Sequence, residues 1–392
     1  MKRSLEVAHI FRVHGQTYRD AHSTSLPVRH LRVMRAIELC RTAELGGHVD
    51  VCEHCGALMI SYNSCRNRHC PKCQCLDKER WVEARKNDVL PTHYFHVVFT
   101  VPDVLRPLAL RNQRRFYNIL FNSAAETLKT LCKDPKHLGA QIGFIAVLHT
   151  WSQVLLDHPH IHCIVPGGGL SVDEKRWIGA EQEFFIPVKV LSAMFRGKFL
   201  DNLKKAYELD ELKFPGKIAH LKEGFSFQKL LSSLYGKNWI VYCKPPFKNP
   251  EDVVDYLGRY THRVALSNDR IVKFDGERVT FRYRDSSDNN KTKLMTLNAS
   301  EFIRRFLLHV LPDGFMKIRH YGILSNRSRK TKLARCRQLL GVAQDEGNEK
   351  QAKPSWQELL FKLTGIDPTV CPHCGKGKMV LKETLVPTGA PP

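Results

Sequence analysis

The stretch 158-HPHIHCIVPGGG-169 has a histidine at each of three alternate positions, with an apolar residue behind the last two. Side chains alternate between the two faces of a β-strand, so this pattern predicts imidazoles on one face and a core on the other. His160 and His162 then share a face, whereas Pro159 leaves His158 in the turn or behind the other two. Two such imidazoles can hold a divalent metal ion, or they can be hydrogen-bonded surface histidines.

The segments around this strand predict an α+β domain. Apolar runs at 93–102, 142–153 and 238–244 are typical of strands, and amphipathic runs at 107–134 and 187–206 are typical of helices. The order strand, helix, strand, strand, helix, strand is that of a ferredoxin-like fold, whose antiparallel sheet carries its helices on one face. The other face of the sheet is then free to carry a site.

The chain of 392 residues is strongly basic, with 61 lysines and arginines against 39 acids and a net charge of +22. Such an excess favours a polyanionic partner, most commonly nucleic acid. Between 317 and 337 basic residues are dense and acids are absent, which suits phosphate contacts along single strands. The sequence contains no apolar run of membrane-spanning length and no secretory leader. We therefore expect a cytoplasmic, nucleoid-associated bacterial protein with no membrane partner.

The cysteines predict zinc rather than disulfides, because 13 of them occur in a chain without a leader. Cys52 and Cys55 form one CxxC motif, and Cys70 and Cys73 form a second after fourteen intervening residues. Two such motifs at this separation predict one tetrahedral thiolate site that binds structural Zn²⁺.

Further ligands remain beyond these four cysteines. Cys65, His69 and Cys75 have the chemistry to complete a second zinc site or to exchange with one of the four. Cys371 and Cys374 form a C-terminal CxxC that is only half a site. This motif needs partners from elsewhere in the chain, or its cysteines are two free thiols.

Two tyrosines follow the histidine strand. Tyr256 and Tyr260 lie four residues apart in 250-PEDVVDYLGRYTHR-263, where a proline followed by acids predicts the start of a helix. Both hydroxyls would emerge on one helix face, which by itself is typical of packing residues. Beside a metal-binding strand in a basic protein, such a phenol could attack a phosphodiester and form a covalent phosphotyrosine.

A third metal ligand could come from the strand before the histidines. Gln153 lies seven residues before His160, and pairing across a short hairpin loop would bring its amide oxygen near the imidazoles. His149 and His262 are the other candidates. Three ligands would leave positions open for substrate and water.

Several segments of the chain resemble one protein family. They are 64-SCRNRHCPKCQ-74, 149-HTWSQ-153, 158-HPHIHCIVPGGG-169, 256-YLGRYTHRVALSN-268 and 319-RHYGILSNRSR-329. Together they resemble the rolling-circle HUH transposases of the insertion sequence ninety-one type, over roughly residues 27 to 376. The resemblance implies an HUH endonuclease fold that nicks and joins single-stranded DNA at element ends through a 5′-phosphotyrosine.

The resemblance also implies roles for individual residues. His160 and His162 become ligands of a catalytic Mg²⁺ or Mn²⁺, and Tyr256 and Tyr260 become the nucleophile pair. Gln153 as third ligand rests on analogy with replication initiators. The sequence contains no phosphate-binding GxxxxGK[ST] loop, so unwinding would fall to a host helicase or the replication machinery.

The sequence thus predicts three parts. An N-terminal helical, zinc-ribbon-like domain covers 1–90, an HUH catalytic domain covers 91–300, and a basic C-terminal region with a linker covers 301–392. The predicted DNA-contacting residues are Arg66, Arg68, Lys72, Arg259, Arg263, Arg319, Arg327, Arg329 and Lys330.

Two other functions are compatible with these motifs. A plasmid replication initiator or relaxase would use the same HUH chemistry at an origin. A non-catalytic, zinc-dependent DNA-binding protein would have no need of the paired histidines or the paired tyrosines. Flanking DNA separates the first from a transposase, and substitution of those residues separates the second.

Overall fold

A computed structural model of the chain describes residues 5–181, 185–247, 252, 253, 256, 258, 264–285, 287–342 and 354–389, without the side chains of 74, 75, 245 and 246. Among the described residues, no helix combines the length and the apolar composition needed to span a bilayer.

The helices of the described chain are α1 (Val7–Ala21), α2 (Val28–Leu39), α3 (Gln74–Lys86), α4 (Arg106–Arg111), α5 (Gln113–Lys133), α6 (Val188–Glu208), α7 (Gly224–Tyr235), α8 (Ala299–Leu307), α9 (Arg329–Leu339) and α10 (Trp356–Thr364). The strands are β1 (Gly47–Cys52), β2 (Leu58–Tyr62), β3 (Tyr94–Thr100), β4 (Gly143–Trp151), β5 (Asp157–Pro166), β6 (Gly168–Leu170), β7 (Trp177–Gly179), β8 (Val241–Phe247), β9 (Ile271–Phe274), β10 (Arg278–Asp285), β11 (Lys291–Asn298), β12 (Ile318–Gly322) and β13 (Met379–Leu385).

The central sheet is antiparallel and has the order β12-β4-β5-β3-β8. Helix α5 connects β3 to β4, and α6 lies between β5 and β8 in the chain. Without β12, this is the strand order of a ferredoxin-like βαββαβ unit. The predicted α+β class with a ferredoxin-like central sheet is confirmed, and β12 adds a fifth strand at one edge.

Strand alternation gives the sheet two different faces. Ile161, Cys163 and Val165 of β5 are fully buried in the core that α5 and α6 cover. The alternate residues of β5, including His160 and His162, project from the opposite face. The predicted division of this strand into a histidine face and an apolar face is therefore confirmed.

A second core packs the N-terminal helices against residues between 265 and 310. Helices α1 and α2 pack with α8 and the hairpin sheet β9-β10-β11, and the ring of Phe11 meets that of Phe306 edge-on at 5.3 Å. Strands β1 and β2 form a small sheet that β13 completes on the other side of β1. The three-domain division remains a prediction, although strands from beyond residue 300 join both the central sheet and the N-terminal one.

The close approach of β12 to β4 depends on Gly322. Its φ of +59° is left-handed, and a Cβ there would overlap the carbonyl oxygen of Ile142.

We predict that Gly322→Ala lowers the free energy of unfolding by roughly 2–4 kcal/mol, as measured by urea denaturation. Gly314 has a φ of +67° and open space around it, so Gly314→Ala should cost only about 1 kcal/mol. Equal losses in the two variants would contradict the steric explanation.

Candidate metal and nucleophile site

Three histidines converge on the face of the central sheet opposite α5 and α6, beside a buried apolar cluster that includes Ile145, Val147 and Ile164. The antiparallel register pairs His149 of β4 directly with His160 of β5, and His162 lies two residues further along β5. Each of the three offers one ring nitrogen, and these nitrogens all lie within 4.8 Å of one another. His149 and His162 are buried, and His160 is half-buried. Three convergent imidazoles with one side toward solvent are a suitable half-shell for a transition-metal ion.

The hydrogen bond of His160 identifies the nitrogen that is available to a metal. Its Nδ1 lies 2.7 Å from the carbonyl oxygen of His158. A carbonyl oxygen only accepts, so Nδ1 carries the hydrogen and Nε2 keeps its lone pair. His158 itself lies outside the three-histidine group, with its Nδ1 3.7 Å from the carboxylate of Asp103.

A hydrogen-bonded chain leads from the histidines to a tyrosine. Nδ1 of His162 lies 2.8 Å from Nε2 of His96 on β3, and the two rings are stacked nearly parallel. The hydroxyl oxygen of Tyr256 in turn lies 2.8 Å from Nδ1 of His96 and 3.4 Å from Nε2 of the same ring, so Nδ1 is its nearer partner. His96 was not predicted as a site residue, because it falls within an apolar strand without a histidine pattern.

Burial keeps His96 neutral. Its side chain is buried between β5 and Tyr256, and this burial, together with the charges of Lys244 and His160, lowers the pKa of His96 to about 3. A neutral imidazole has one N–H and one lone pair. His96 therefore donates to one neighbour and accepts from the other.

The hairpin geometry places the predicted third ligand, Gln153, in the turn rather than on strand β4. Strand β4 ends at Trp151, which pairs with Asp157, so residues 152–156 form the turn. Gln153 is exposed in that turn, and its main-chain carbonyl oxygen, rather than its side-chain amide, accepts a hydrogen bond from Arg270 at 2.5 Å. His149, which the register places opposite His160, takes the position that the sequence prediction gave to Gln153.

Tyr256 is held over the histidine face by apolar neighbours. Residues 252, 253, 256 and 258 are helical, and the Tyr256 ring lies 4.6 Å from that of Phe247. Gly258 allows this segment to approach α3, since a Cβ there would lie 2.6 Å from Cγ2 of Val82. The predicted residues Tyr260, Arg259 and Arg263, and the candidate ligand His262, lie outside the described residues.

The first cysteine cluster differs from the predicted one. Cys40, Cys65, Cys70 and Cys73 bring four sulfurs together, and Sγ of Cys73 lies 3.6 Å from those of both Cys40 and Cys65. Cys40 was not predicted, because it directly follows an amphipathic helix and belongs to no CxxC motif.

The prediction that Cys52 and Cys55 share a site with Cys70 and Cys73 is wrong. Cys52 and Cys55 instead meet Cys371 and Cys374, which supplies the missing partners of the C-terminal half-site. The reason is that long-range pairing of β1 with β13, rather than local spacing, decides which motifs meet.

The other two predicted zinc ligands have different positions. His69 is not a member of either cysteine cluster among the described residues. Burial, with the nearby positive charges of Arg68 and Lys317, lowers the pKa of His69 to about 3. The side chain of Cys75 lies outside what the structure describes.

Four of the predicted DNA-contacting residues make contacts within the chain; one of them, Arg319, is described with its groove below. The Arg68 guanidinium donates to the carbonyl oxygens of Phe315 and Pro312. Lys72 forms a 2.7 Å ion pair with Glu6. The third, Arg329, pairs with Asp88 at 3.2 Å. Three further predicted DNA-contacting residues that the structure describes are exposed: Arg66, Arg327 and Lys330.

Arg319 lines an open groove of about 820 Å³ along the edge strand β12. Its guanidinium stacks 4.1 Å from the ring centre of Phe121 and donates to Asn118. Trp81 and His320 also line this groove. His320 lies on the same sheet face as the three histidines, because β12 pairs with β4 in register. Stacking groups and positive charge in one groove are the features that single-stranded nucleic acid requires.

Comparisons with known proteins identify similarity to transposases in each case. Residues 143–332 match the Y2_Tnp family model, described as "Putative transposase", and residues 10–101 match the model "Transposase zinc-binding domain". The chain is 50% identical over 387 residues to "Putative transposase y4qJ" of Sinorhizobium fredii, covering 99% of this chain and 97% of that protein. It is 27% identical over 339 residues to "Transposase for insertion sequence element IS801" of Pseudomonas savastanoi pv. phaseolicola, covering 86% and 79%.

The two candidates for the third metal ligand can be separated by substitution. We predict that His149→Ala weakens Mn²⁺ binding at least about tenfold. Loss of a group that only orients a metal ligand typically lowers affinity by that much, and loss of a ligand itself should lower it no less. Gln153→Ala, an exposed change in the same hairpin, should alter affinity by less than about twofold. Isothermal titration calorimetry with Mn²⁺ measures both. Loss of affinity in Gln153→Ala with retention in His149→Ala would reverse the assignment.

Proposed function

The chain belongs to the transposase family of the insertion sequence ninety-one type, and from this premise we propose that it nicks and rejoins single-stranded DNA at the ends of a mobile element. The proposed reaction passes through a covalent 5′-phosphotyrosine and drives rolling-circle-type transposition. The observation that carries the proposal is the chain of hydrogen bonds from the Tyr256 hydroxyl through His96 to His162. A relative is named as the transposase of an insertion sequence element, which supports the substrate class.

The donor set fits a catalytic divalent ion. His149, His160 and His162 would hold it through imidazole nitrogens, and three nitrogen donors favour Mn²⁺ over Mg²⁺. When bound, the ion would polarise the scissile phosphate and stabilise the charge that develops on its oxygens.

The histidine chain has a consequence for the nucleophile. If Nε2 of His162 is a ligand, its Nδ1 carries the hydrogen and donates to Nε2 of His96. Neutral His96 must then carry its own hydrogen on Nδ1 and donate it to the oxygen of Tyr256. A hydrogen bond donated to the phenol oxygen favours the phenolate, which is the nucleophilic form. His96 is therefore a positioning residue that couples the metal ligands to the tyrosine.

The proposed strand transfer conserves the phosphodiester bond. The Tyr256 hydroxyl releases its proton to solvent and its oxygen bonds to phosphorus, while the P–O3′ bond breaks and the 3′ oxygen takes up a proton and leaves as a hydroxyl. A free 3′ hydroxyl later attacks the same phosphorus and releases the tyrosine, so the chemistry needs no ATP. Tyr260, four residues further along, is the second candidate nucleophile and would allow a second strand to be cut while the first remains attached.

The described surface offers a path for the DNA. The groove along β12 combines Arg319, Trp81 and His320 at the edge of the sheet that carries the histidine cluster. Exposed Arg327 and Lys330 follow β12 in the chain and add positive charge. Single-stranded substrate would be supplied by a host helicase or by replication.

Covalent adduct formation tests the nucleophiles. With single-stranded oligonucleotides carrying candidate element ends and Mn²⁺, wild-type protein should give a DNA-linked band on a denaturing gel. Tyr256→Phe should abolish the adduct on the peptide that contains residue 256, and Tyr256→Phe/Tyr260→Phe should abolish all adducts, because no phenol oxygen remains. Undiminished adducts in both the double variant and His160→Ala would show that the proposed site is wrong.

Substitution of His96 tests the coupling. His96→Phe should slow adduct formation roughly 10–100-fold, in the range found when a group that orients a metal ligand is removed. His96→Gln should recover part of the rate, because its carbonyl can accept from His162 and its amide can donate to Tyr256. Single-turnover kinetics at saturating Mn²⁺ provide the measurement. Equal rates in wild type and His96→Phe would remove His96 from the mechanism.

A further inference from the structure

Four cysteines from opposite ends of the chain converge on one point. Sγ of Cys52 lies 3.7 Å from that of Cys374, and Sγ of Cys55 lies 3.8 Å from that of Cys371. All four sulfurs lie within 4.8 Å of one another. Thiolates placed about 2.3 Å from a zinc ion at tetrahedral angles are about 3.8 Å apart. The observed spacing of the four sulfurs is therefore that of a zinc site.

The two CxxC turns have the same backbone geometry. The N–H of Gly56 donates to the carbonyl oxygen of Cys52 at 3.0 Å, and the N–H of Gly375 donates to that of Cys371 at 2.9 Å. Both glycines are left-handed, with φ of +70° and +66°. Each glycine directly follows the second cysteine of its motif, so the turns that present the sulfurs are equivalent although they are far apart in sequence.

Backbone donors also point at the sulfurs. The N–H of Cys55 lies 3.4 Å from Sγ of Cys52, and the N–H of Gly377 lies 3.4 Å from Sγ of Cys374. Such N–H groups favour the thiolate over the thiol, because they stabilise its negative charge. Thiolates are the form in which cysteine binds zinc.

The C-terminal strand has little else to hold it. Strand β13 pairs with β1 from Gly47 to Cys52, yet most of its side chains are exposed. In α10, which precedes it, Leu359 is the buried residue, at 1% exposure. Backbone pairing with so little buried apolar surface is weak on its own. A metal ion at the start of the strand would supply the missing stability.

We propose that Cys52, Cys55, Cys371 and Cys374 bind a second zinc ion, separate from an ion in the cluster of Cys40, Cys65, Cys70 and Cys73. This second ion completes a zinc ribbon from two half-sites and fastens the C-terminal segment onto β1 and β2. The matched "Transposase zinc-binding domain" ends at residue 101, so this assignment adds Cys371 and Cys374 to the metal chemistry of the chain.

Fastening this segment has a consequence for the tyrosine. Helix α10 contacts α3, where Lys362 forms an ion pair with Glu83. The neighbouring residue Val82 of α3 is the one that Gly258 approaches. The second zinc ion thus stabilises the position of α3, the helix against which the Tyr256 segment packs.

Metal analysis of the purified full-length chain tests the proposal. Inductively coupled plasma mass spectrometry should find two zinc ions per wild-type chain and one in Cys371→Ser/Cys374→Ser. Cys40→Ser/Cys65→Ser should likewise retain one, and Cys243→Ser, whose half-buried thiol belongs to neither cluster, should retain two. Equal zinc content in wild type and Cys371→Ser/Cys374→Ser would overturn the proposal.

A second measurement uses the unaltered chain and so does not depend on whether a variant folds. Cys55 is exposed and Cys374 is half-buried, so free thiols there would react readily with N-ethylmaleimide. Peptide mass spectrometry should find both unlabelled until a chelator removes zinc, with Cys243 as the internal reference. Labelling of Cys55 and Cys374 at the same rate before and after chelation would refute the second site.

Discussion

The register between β4 and β5 is the constraint on which the candidate site depends. Because His149 pairs with His160, the two strands place three imidazoles on one face and Ile161 and Cys163 in the core. A slip of one residue would turn the histidines of β5 toward the core under α5 and α6, and would turn Ile161 and Cys163 toward the face where the histidines now lie. The same alternation that buries the core therefore brings together the three histidines of the proposed metal site.

The rest of the molecule supplies what this face lacks. Strand β3 contributes His96, whose two ring nitrogens connect His162 to Tyr256. Helix α3 supports the tyrosine segment through the close approach of Val82 to Gly258. Strand β12 extends the sheet and carries the groove with Arg319. One cysteine cluster lies immediately before α3, and the other lies where β1 pairs with β13.

Local patterns allowed the sequence to predict the fold class and part of the site. Alternation identified the two faces of β5, and the order of apolar runs identified the ferredoxin-like sheet. The third histidine was ranked below Gln153 because the length of the hairpin turn decides the register, and that length is not visible in periodicity. His96 was missed because a single histidine in an apolar strand carries no pattern of its own. The cysteines were misgrouped because Cys52 meets a partner 322 residues away, and spacing encodes only neighbours in sequence.

We propose that the three histidines and Tyr256 form one site, joined through His96. Anomalous diffraction at the manganese absorption edge, from crystals grown with Mn²⁺ and a single-stranded oligonucleotide, tests it most directly. We expect a single strong manganese peak within bonding distance of ring nitrogens of His149, His160 and His162, with a phosphate of the DNA between that ion and the Tyr256 oxygen. A peak at another place on the chain, or DNA whose phosphates all lie away from Tyr256, would contradict it.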